Sequence, residues 1–213
     1  MSYIAFFDMD GTLLTTHTGG LFFRYSYNMG KIKLPYLIKI APVPILYSLG
    51  LIDLERISKK MGMRYKGQKD DEMNAFIDEW FSEMAVKYMR NSMFSEIKYH
   101  KDRGAKTVMI SASPRNFCRP VVEYFKLDDL ICTELVVKNG YITGECGMYC
   151  YGENKVIMAE EYCGKNNFSL KESWFYSDSE SDIPLLKKVG NPVCVKPDKK
   201  LLKYARDNNW KII

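Results

Sequence analysis

The stretch that most constrains the fold lies near the amino terminus, where a short apolar run ends in two carboxylates one residue apart. Four apolar residues, Ile4 to Phe7, precede the sequence Asp8-Met9-Asp10-Gly11. A continuous apolar run of this length is typical of a strand in a parallel sheet that is covered on both faces. Such sheets bind their ligands at the carboxyl ends of the strands. We therefore predict a buried strand that delivers acidic side chains to a site at its end.

Asp8 and Asp10 share one face if the strand geometry continues past Phe7, because side chains two residues apart in a strand point the same way. Two like charges this close repel each other, and a divalent cation between them and a phosphate removes that cost. Asp-x-Asp-Gly also occurs in turns and in calcium loops. An EF-hand calcium loop follows a helix and closes with a Glu, whereas this sequence follows an apolar run and continues with Thr12 and two leucines.

Composition describes an ordinary globular protein. The 213 residues are 46% hydrophobic, which is enough for a large core with or without an inserted domain. The net charge of +5 comes from interspersed charges of both signs, so it implies no nucleic-acid partner. The chain starts directly in the predicted strand without a signal-like segment, and its six cysteines do not have the spacing of a disulfide framework. These features favour a cytoplasmic, reducing location.

The most apolar stretch, residues 34–52, raises the question of membrane contact. It contains Lys39 and is broken by Pro35, Pro42 and Pro44, so a continuous spanning helix is not expected. We expect a helix packed inside a small domain, and an interfacial helix that touches lipid is the alternative.

The chain after the first strand divides into a helical region and an alternating region. Helical periodicity covers residues 15–91 and is clearest between Met73 and Met89, where apolar residues recur at three- and four-residue spacing. From residue 92 onward predicted strands alternate with helices. The pattern predicts an α/β fold, with a Rossmann-like parallel sheet core formed by residues 1–14 and 92–213 and an inserted helical cap domain formed by residues 15–91.

Individual elements are predicted from local signals. An earlier helical run covers residues 21–25, another covers residues 54–61, and turns fall at Gly50 and at residues 62–71. A helix is predicted to end near Gly104. Later strands are expected at 106–110, 173–176 and 192–195, the last of these being the final strand, and helices at 116–125 and 156–163. Asn139-Gly140 is a strong hairpin signal between strands at 131–137 and 141–143.

Polar residues follow three of the predicted strands, and an isolated lysine lies between the second and the third. The first set is Asp8 and Asp10, the second is Ser111, and the third runs from Asp178 to Asp182, with Lys155 at the start of a helix. In order and surroundings these four motifs resemble the haloacid dehalogenase-like superfamily of phosphohydrolases. The insertion after the first motif resembles the helical cap of the phosphoserine-phosphatase-like branch, subfamily IB. The resemblance covers nearly the full length of the chain.

The resemblance implies a role for each motif. Asp8 is expected to be the nucleophile that forms an aspartyl-phosphate, and Asp10 the acid and base for the leaving group and for water. Ser111 and the following backbone amides, beginning at Ala112, are expected to hold phosphate oxygens, and Thr12 is a further candidate for phosphate binding. Lys155 is expected to neutralise charge on Asp8 and on the phosphoryl group.

The resemblance also implies a Mg²⁺ cofactor. Its expected ligands are Asp8, the main-chain carbonyl of Asp10, and Asp178. Asp182 is expected to be a further ligand or to hold a metal-bound water, since magnesium usually keeps several waters in its octahedral shell. Without the other motifs, Asp178 to Asp182 would be an acidic turn that caps the following helix.

The sequence departs from the phosphoserine phosphatases at three places. Ser177-Asp178-Ser179-Glu180-Ser181-Asp182 stands where they have Gly-Asp-Gly-x-Asn-Asp, and Ser111-Ala112-Ser113 stands where they have Ser-Gly-Gly. Phosphoserine phosphatases have a Glu shortly after the first motif that binds the amino acid, and residues 15–18 contain no Glu. Phosphoserine is therefore not the expected substrate. His17 is a candidate contact to substrate, and Arg56, Lys59 and Lys60 of the predicted cap are candidates to face an anion, although a structural or solvated role explains these four residues equally well.

The sequence thus predicts a magnesium-dependent phosphatase that acts on a small phosphorylated metabolite. One alternative is a phosphotransferase or mutase that passes the same aspartyl-phosphate to an acceptor other than water. A non-catalytic phosphate-binding module is a second alternative, although such a module is expected to have lost at least one of Asp8, Asp10, Lys155 and Asp178, and all four are present.

Overall fold

The computed structural model describes residues 3–35, 38, 42 and 62–213, and these divide into two compact units. The first unit contains Met1–Thr16, Tyr88–Thr133 and Met148–Ile213, and the second contains His17–Lys87 and Glu134–Gly147. In chain order the described strands are β1 (Ile4–Phe7), β2 (Lys106–Pro114), β3 (Asp129–Thr133), β4 (Leu135–Lys138), β5 (Tyr141–Cys146), β6 (Trp174–Ser177), β7 (Asn191–Cys194) and β8 (Lys211–Ile212). The α-helices with both ends among the described residues are α1 (Thr18–Asn28), α2 (Asp70–Glu83), α3 (Ser92–Lys101), α4 (Arg115–Phe125), α5 (Glu153–Asn166), α6 (Ile183–Leu186) and α7 (Lys199–Asp207).

The first unit is built on a parallel sheet with the strand order β3-β2-β1-β6-β7-β8 among the described residues. β1 lies between β2 and β6, with Ile4 opposite Lys106 and Ala5 opposite Trp174. All four residues of β1 are completely buried, as its apolar run predicts. The predicted α/β fold with a Rossmann-like parallel core is therefore confirmed.

The core on one side of the sheet joins alternate strand residues to the helices that cover them. Ile4, Phe6 and Phe175 pack with Val156 and Ala159 of α5, and the same cluster continues to α7. The alternation follows from the strand period of two, since every second side chain of β1 points to this face. This packing holds α5, and with it Lys155, against the carboxyl half of the sheet.

Strand geometry ends at Phe7 and does not continue to Asp10. Residues Met9–Leu13 form a tight loop that is closed by a hydrogen bond from the Leu14 amide to the Met9 carbonyl (3.0 Å). Inside the loop Asp10 is extended (φ −73°, ψ 127°) and Gly11 has a positive φ of 76°. The condition under which Asp8 and Asp10 would share a strand face is thus not met, and the loop sets their orientations instead.

The second unit packs α1 against α2. Phe22 of α1 meets Trp80 and Phe76 of α2 edge to face, with ring centroids 5.7 Å apart in both pairs. Tyr25 also donates a hydrogen bond to Glu83 (3.1 Å). The apolar periodicity of the sequence therefore marks a buried helical face, as predicted. The third predicted helical run is shorter than expected, because α2 ends at Glu83 and a single helical turn, Ala85–Tyr88, follows.

A two-stranded hairpin, β4 and β5, also belongs to the second unit. Asp70 donates its amide to the Gly140 carbonyl (2.9 Å), and Lys69 bridges to Tyr141. The hairpin strands were predicted at residues 131–137 and 141–143, within the predicted core. Instead, β3 ends at Thr133 as an edge strand of the parallel sheet, and a separate strand begins at Leu135.

Two further differences concern the ends of elements. The sequence predicted that the strand near Val193 would be the last, but β8 pairs with it through Val193 opposite Lys211. β2 runs on to Pro114 and so includes Ser111, which was predicted to follow the strand. The helix predicted over 54–61, the turn at Gly50, and Arg56, Lys59 and Lys60 lie outside the described residues.

Most of the apolar stretch 34–52 also lies outside the described residues. Across the parts of the chain that the structure does describe, the helices are too short or too polar to cross a membrane.

Candidate active site

The centre of the candidate site is a buried ion pair at the carboxyl end of β1. Lys155 Nζ donates a hydrogen bond to Asp8 Oδ1 (2.7 Å), although the two residues lie 147 positions apart in the sequence. The same ammonium group lies 2.9 Å from Asp182 and donates to its Oδ2. Lys155 is 3% exposed, Asp8 7% and Asp182 1%. Lys155 is therefore a buried bridge between the first and the last of the predicted motifs, and not a solvated surface lysine.

Three elements fix this ion pair in place. Asp8 follows β1, and its amide donates to the Tyr176 carbonyl of β6 (2.9 Å). Lys155 lies in the first turn of α5, which packs on the sheet. Ser177, the last residue of β6, donates its hydroxyl to Asp182 Oδ2 (2.6 Å). The serine thereby holds the carboxylate that in turn holds the lysine.

Asp178 packs against the loop that follows Asp8. Thr12 is completely buried and its hydroxyl lies 3.4 Å from Asp178 Oδ1, to which it donates. A Cβ atom on Gly11 would lie 2.0 Å from Asp178 Oδ2, so any side chain at position 11 would occupy the space of this carboxylate. Glycine is required here for two reasons, the positive φ and the close approach of Asp178.

The electrostatics of the cluster are dominated by burial and by an excess of carboxylates. Burial raises the pKa of Asp8 well above its ordinary value, Lys155 opposes that rise, and Asp182 and Asp178 add to it. Burial alone would lower the pKa of Lys155, but the carboxylates of Asp182 and Asp8 outweigh it and hold the pKa above its ordinary value. The ammonium group therefore stays charged, and the cluster has more acidic groups than it has cations.

This donor set fits a hard divalent cation. Asp8 and Asp178 supply carboxylate oxygens beside the Met9–Leu13 loop, and their excess negative charge is what a cation would offset. Among the described residues there is no group of three or more His, Cys, Asp or Glu side chains arranged to hold a metal ion. Magnesium does not need such a cage, since it is usually bound through one or two carboxylates and keeps several waters.

Ser111 lies on β2 near the same edge of the sheet. β2 runs parallel to β1 with Met109 opposite Phe7, which places Ser111 just beyond Asp8 along the strand direction. Its buried hydroxyl accepts the Ser113 amide (3.2 Å). The neighbouring Ala112 carbonyl accepts the hydroxyl of Thr133 (2.8 Å), which fixes the backbone where the phosphate-binding amides are predicted. Burial, together with Cys132 and Asp10, raises the pKa of the nearby Cys118 thiol, so this thiol remains neutral.

Two predicted residues are more exposed than Asp8. Asp10 is half-buried within the loop. His17 is exposed, and it is the first residue of the second unit, where it precedes α1 without capping that helix through its side chain. The predicted contact of His17 with substrate stays a prediction, as does a direct phosphate contact by Thr12, whose hydroxyl is directed to Asp178.

Two residues that contact the site were not predicted from the sequence. Ser177 holds Asp182, and Arg90 donates hydrogen bonds to the Gly11 carbonyl (2.7 Å) and the Thr12 carbonyl (2.9 Å). Ser177 was visible as the first residue of the polar set that follows β6. Arg90 gave no signal in the sequence, because it is 79 positions from Gly11 and its contacts are to backbone atoms.

Known proteins resemble this chain in sequence and in fold. Residues 5–187 match the haloacid dehalogenase-like hydrolase family. A histidinol-phosphatase from Neisseria meningitidis is 25% identical over an alignment that covers 100% of this chain and 99% of that protein. A crystal structure of a Bordetella pertussis protein of unknown function is similar with a TM-score of 0.91, at 23% identity, over 100% of this chain and 99% of that one. A phosphoserine phosphatase captured as a phospho-aspartyl intermediate analogue has a TM-score of 0.70, at 20% identity, over 99% and 92%.

The chain belongs to the haloacid dehalogenase-like hydrolase family, because the family match spans most of its length. It is accordingly an enzyme, and the predicted assignment to the phosphatases of this family, the phosphoric monoester hydrolases, is confirmed. The resemblance to the phosphoserine-phosphatase-like branch is likewise confirmed at the level of the fold.

Proposed function

We propose that this protein is a magnesium-dependent phosphatase that hydrolyses a small phosphomonoester through an aspartyl-phosphate on Asp8. The observation that carries the proposal is the buried 2.7 Å contact between Lys155 Nζ and Asp8 Oδ1 at the carboxyl end of β1. A carboxylate held by a buried ammonium group, with two further carboxylates beside it, is suited to phosphoryl transfer, in which most of the catalysis is positioning and charge stabilisation.

Asp8 and Asp10 divide the chemistry between them. A carboxylate oxygen of Asp8 forms a bond to phosphorus while the bond from phosphorus to the ester oxygen breaks. Asp10 gives its proton to that departing oxygen. It then takes a proton from the water that attacks the aspartyl-phosphate, which releases inorganic phosphate and regenerates the Asp8 carboxylate. The half-buried position of Asp10, in a loop separate from the strand, supports this role because the residue must exchange protons with both the substrate and water.

The remaining residues neutralise charge and hold the phosphoryl group. Lys155 offsets negative charge on Asp8, and Asp182 with Ser177 fixes the orientation of the ammonium group. Ser111 and the amides after it would hold non-bridging oxygens. Asp8, Asp178 and the carbonyl of Asp10 would bind Mg²⁺, with Asp182 holding a metal-bound water. When bound, the cation supplies positive charge that offsets both the carboxylates and the phosphoryl oxygens.

The second unit is proposed to act as the cap that selects the substrate, with the β4–β5 hairpin as part of it. Its composition of α1, α2 and a hairpin supports a compact, separately packed module. Residues 15–18 provide no Glu for the ammonium group of an amino acid, so we propose a phosphorylated metabolite other than phosphoserine. We also propose a reducing, cytoplasmic location, since the six cysteines are free thiols and five of them are buried.

The test is the Asp8→Asn variant, assayed with 4-nitrophenyl phosphate with and without Mg²⁺. We expect wild-type hydrolysis to require Mg²⁺ and the variant to fall to background, because an amide cannot form the acyl phosphate. Asp102→Asn is the matched control, since Asp102 pairs with Lys98 on the exposed surface of α3. Far-UV circular dichroism confirms folding of both variants. Full activity in a folded Asp8→Asn protein would refute the proposal.

A further inference from the structure

Arg90 donates hydrogen bonds to three consecutive backbone carbonyls of the loop that follows Asp8. Its Nη2 donates to Gly11 (2.7 Å), its Nε donates to Thr12 (2.9 Å), and its own amide donates to Leu13 (2.8 Å). Arg90 is half-buried and lies at the point where the chain re-enters the first unit, two residues after Tyr88. Arg90 alone thus provides hydrogen-bond donors for three of the five backbone carbonyls in the Met9–Leu13 loop.

Among the described residues, backbone bonds also support the loop, from the Leu14 amide to the Met9 carbonyl (3.0 Å) and from the Gly11 amide to the Thr16 carbonyl (3.3 Å), but they leave the Gly11 and Thr12 carbonyls to Arg90. The extended conformation of Asp10 and the positive φ of Gly11 interrupt any regular helical hydrogen bonding. Carbonyls in such a segment need partners from elsewhere, since leaving a buried backbone group unpaired costs free energy. A planar guanidinium group presents several donors in a fixed fork, so it can bind two successive carbonyls in one defined geometry.

This loop also carries the parts of the site that must be placed accurately. Asp10 lies within it, and Thr12 and Gly11 contact Asp178. We infer that Arg90 is a positioning residue for the phosphatase reaction, which acts by holding the Gly11 and Thr12 carbonyls so that Asp10 and Asp178 keep their places. The inference rests on the proposed function, and it assigns to Arg90 no contact with substrate.

A positioning role differs from a general contribution to stability in what it changes. Loss of the Arg90 guanidinium group is expected to displace Asp10, the proposed proton carrier, and Asp178, the proposed metal ligand. It therefore lowers kcat and weakens Mg²⁺ binding. It leaves the phosphate-binding amides near Ser111 in place, so KM changes little. A merely structural role would lower the thermal stability and leave kcat and Mg²⁺ affinity of the folded protein unchanged.

The experiment compares the wild type with Arg90→Ala and Arg90→Lys. For Arg90→Ala we expect kcat for 4-nitrophenyl phosphate to fall about 10- to 100-fold and Mg²⁺ affinity, measured by calorimetry without substrate, to fall about tenfold. KM should change by less than about threefold. Arg90→Lys should remain well below the wild type in kcat, because an ammonium group is a point charge and lacks the fork. Methylguanidinium added to Arg90→Ala should restore part of kcat.

Arg103→Ala is the control variant. The Arg103 guanidinium stacks 3.5 Å from the centroid of the Tyr99 ring and donates to the Tyr99 carbonyl (3.0 Å), away from the loop. We expect it to keep wild-type kcat and Mg²⁺ affinity. Wild-type kcat and Mg²⁺ affinity in folded Arg90→Ala would overturn the inference, and if that variant does not fold, wild-type values in Arg90→Lys would do so.

Failure of the proposed function gives a different result. In that case the wild type itself shows no Mg²⁺-dependent hydrolysis. The calorimetric comparison still decides the role of Arg90, since Mg²⁺ binding of equal strength in the wild type and the variants would overturn it.

Discussion

Gly11 combines two demands that only glycine meets. Its φ of 76° lies in the left-handed region, and a Cβ atom would lie 2.0 Å from the Asp178 carboxylate. The first demand concerns the backbone of one loop, and the second concerns a residue far along the chain. The position therefore affects both stability and the geometry of the acidic cluster.

Gly11→Ala should be strongly destabilising and inactive, and Gly104→Ala is its control. Gly104 has a similar φ of 71° but open space around the missing Cβ. We expect Gly104→Ala to cost about 1–2 kcal/mol in the free energy of unfolding, which is the cost of left-handed backbone alone. Gly11→Ala should cost clearly more and abolish hydrolysis, because Asp178 must move. Urea denaturation measures the free energy of unfolding of both variants. Equal losses would contradict a clash between the Cβ atom added in Gly11→Ala and the Asp178 carboxylate.

At the residue scale the structure brings together acidic and basic residues that the sequence picked out, while their roles stay predictions. Asp8, Asp178 and Asp182 lie near one another because the carboxyl ends of parallel strands meet at one edge of a sheet, and Lys155 reaches Asp8 and Asp182 from the first turn of α5. The backbone contacts of Arg90 could not be predicted in this way. They depend on the packing of the Met9–Leu13 loop against the segment around Arg90, and neither residue type nor sequence spacing predicts that packing.

Helix α3 contributes a buried polar network that links it to β6 and to the start of β1. His100 is fully buried, with Nδ1 2.9 Å from the Tyr3 hydroxyl and Nε2 2.9 Å from the Tyr176 hydroxyl. Tyr176 donates to Glu96 (2.8 Å). Burial, with smaller contributions from Lys211 and Arg103, lowers the pKa of His100 to about 4. The imidazole is therefore neutral in the folded protein at neutral pH.

This network predicts a loss of stability in acid. The unfolded chain protonates His100 near its ordinary pKa of about 6.5 and the folded protein only near 4, so the unfolded state binds more protons between these values. The free energy of unfolding should fall as the pH drops from about 6.5 towards 4. His100→Gln should show a smaller fall over the same range in urea titrations. Identical pH dependence in the two proteins would contradict the prediction.

At the element scale, elements with a clear hydrophobic pattern were predicted, and elements without one were missed or joined to a neighbour. The apolar stripe of α2 and the continuous run of β1 are period signals that tertiary contacts reinforce. β8 has two residues, both exposed, and pairs only at the sheet edge, so it leaves no hydrophobic pattern. β3 was joined to the hairpin because both are short and apolar, and only the pairing of Ile131 with Ile110 separates them.

The whole first unit should respond to magnesium through its acidic cluster. A ligand that binds only the folded state stabilises it, by about 1.4 kcal/mol when its free concentration is tenfold above Kd. For a chain of this size that corresponds to roughly 3–6 °C in Tm. We expect this rise for the wild type in a thermal melt, and a much smaller one for Asp178→Asn. Sodium chloride of equal ionic strength is the control, and an equal rise with that salt would contradict site binding.

The division into a core and a helical cap stays a prediction. The sequence places a helical insertion directly after the first motif, and the second unit contains His17–Lys87 together with the hairpin segment Glu134–Gly147. A hairpin signal identifies the turn but carries no information about which distant partner the hairpin packs against, and here that partner is the segment around Lys69 and Asp70.

The central position of β1 has a consequence for how the molecule is made. β1 leaves a ribosome well before its two neighbours in the sheet, which begin at Lys106 and Trp174. Closing such long loops is slow, because their entropy must be lost before the contacts form. The pair Asp8–Lys155 and β6, which Asp178 directly follows, are completed only when most of the chain is available. Recovery of hydrolysis after dilution from denaturant should therefore follow the last phase of refolding and lag behind the return of helical signal.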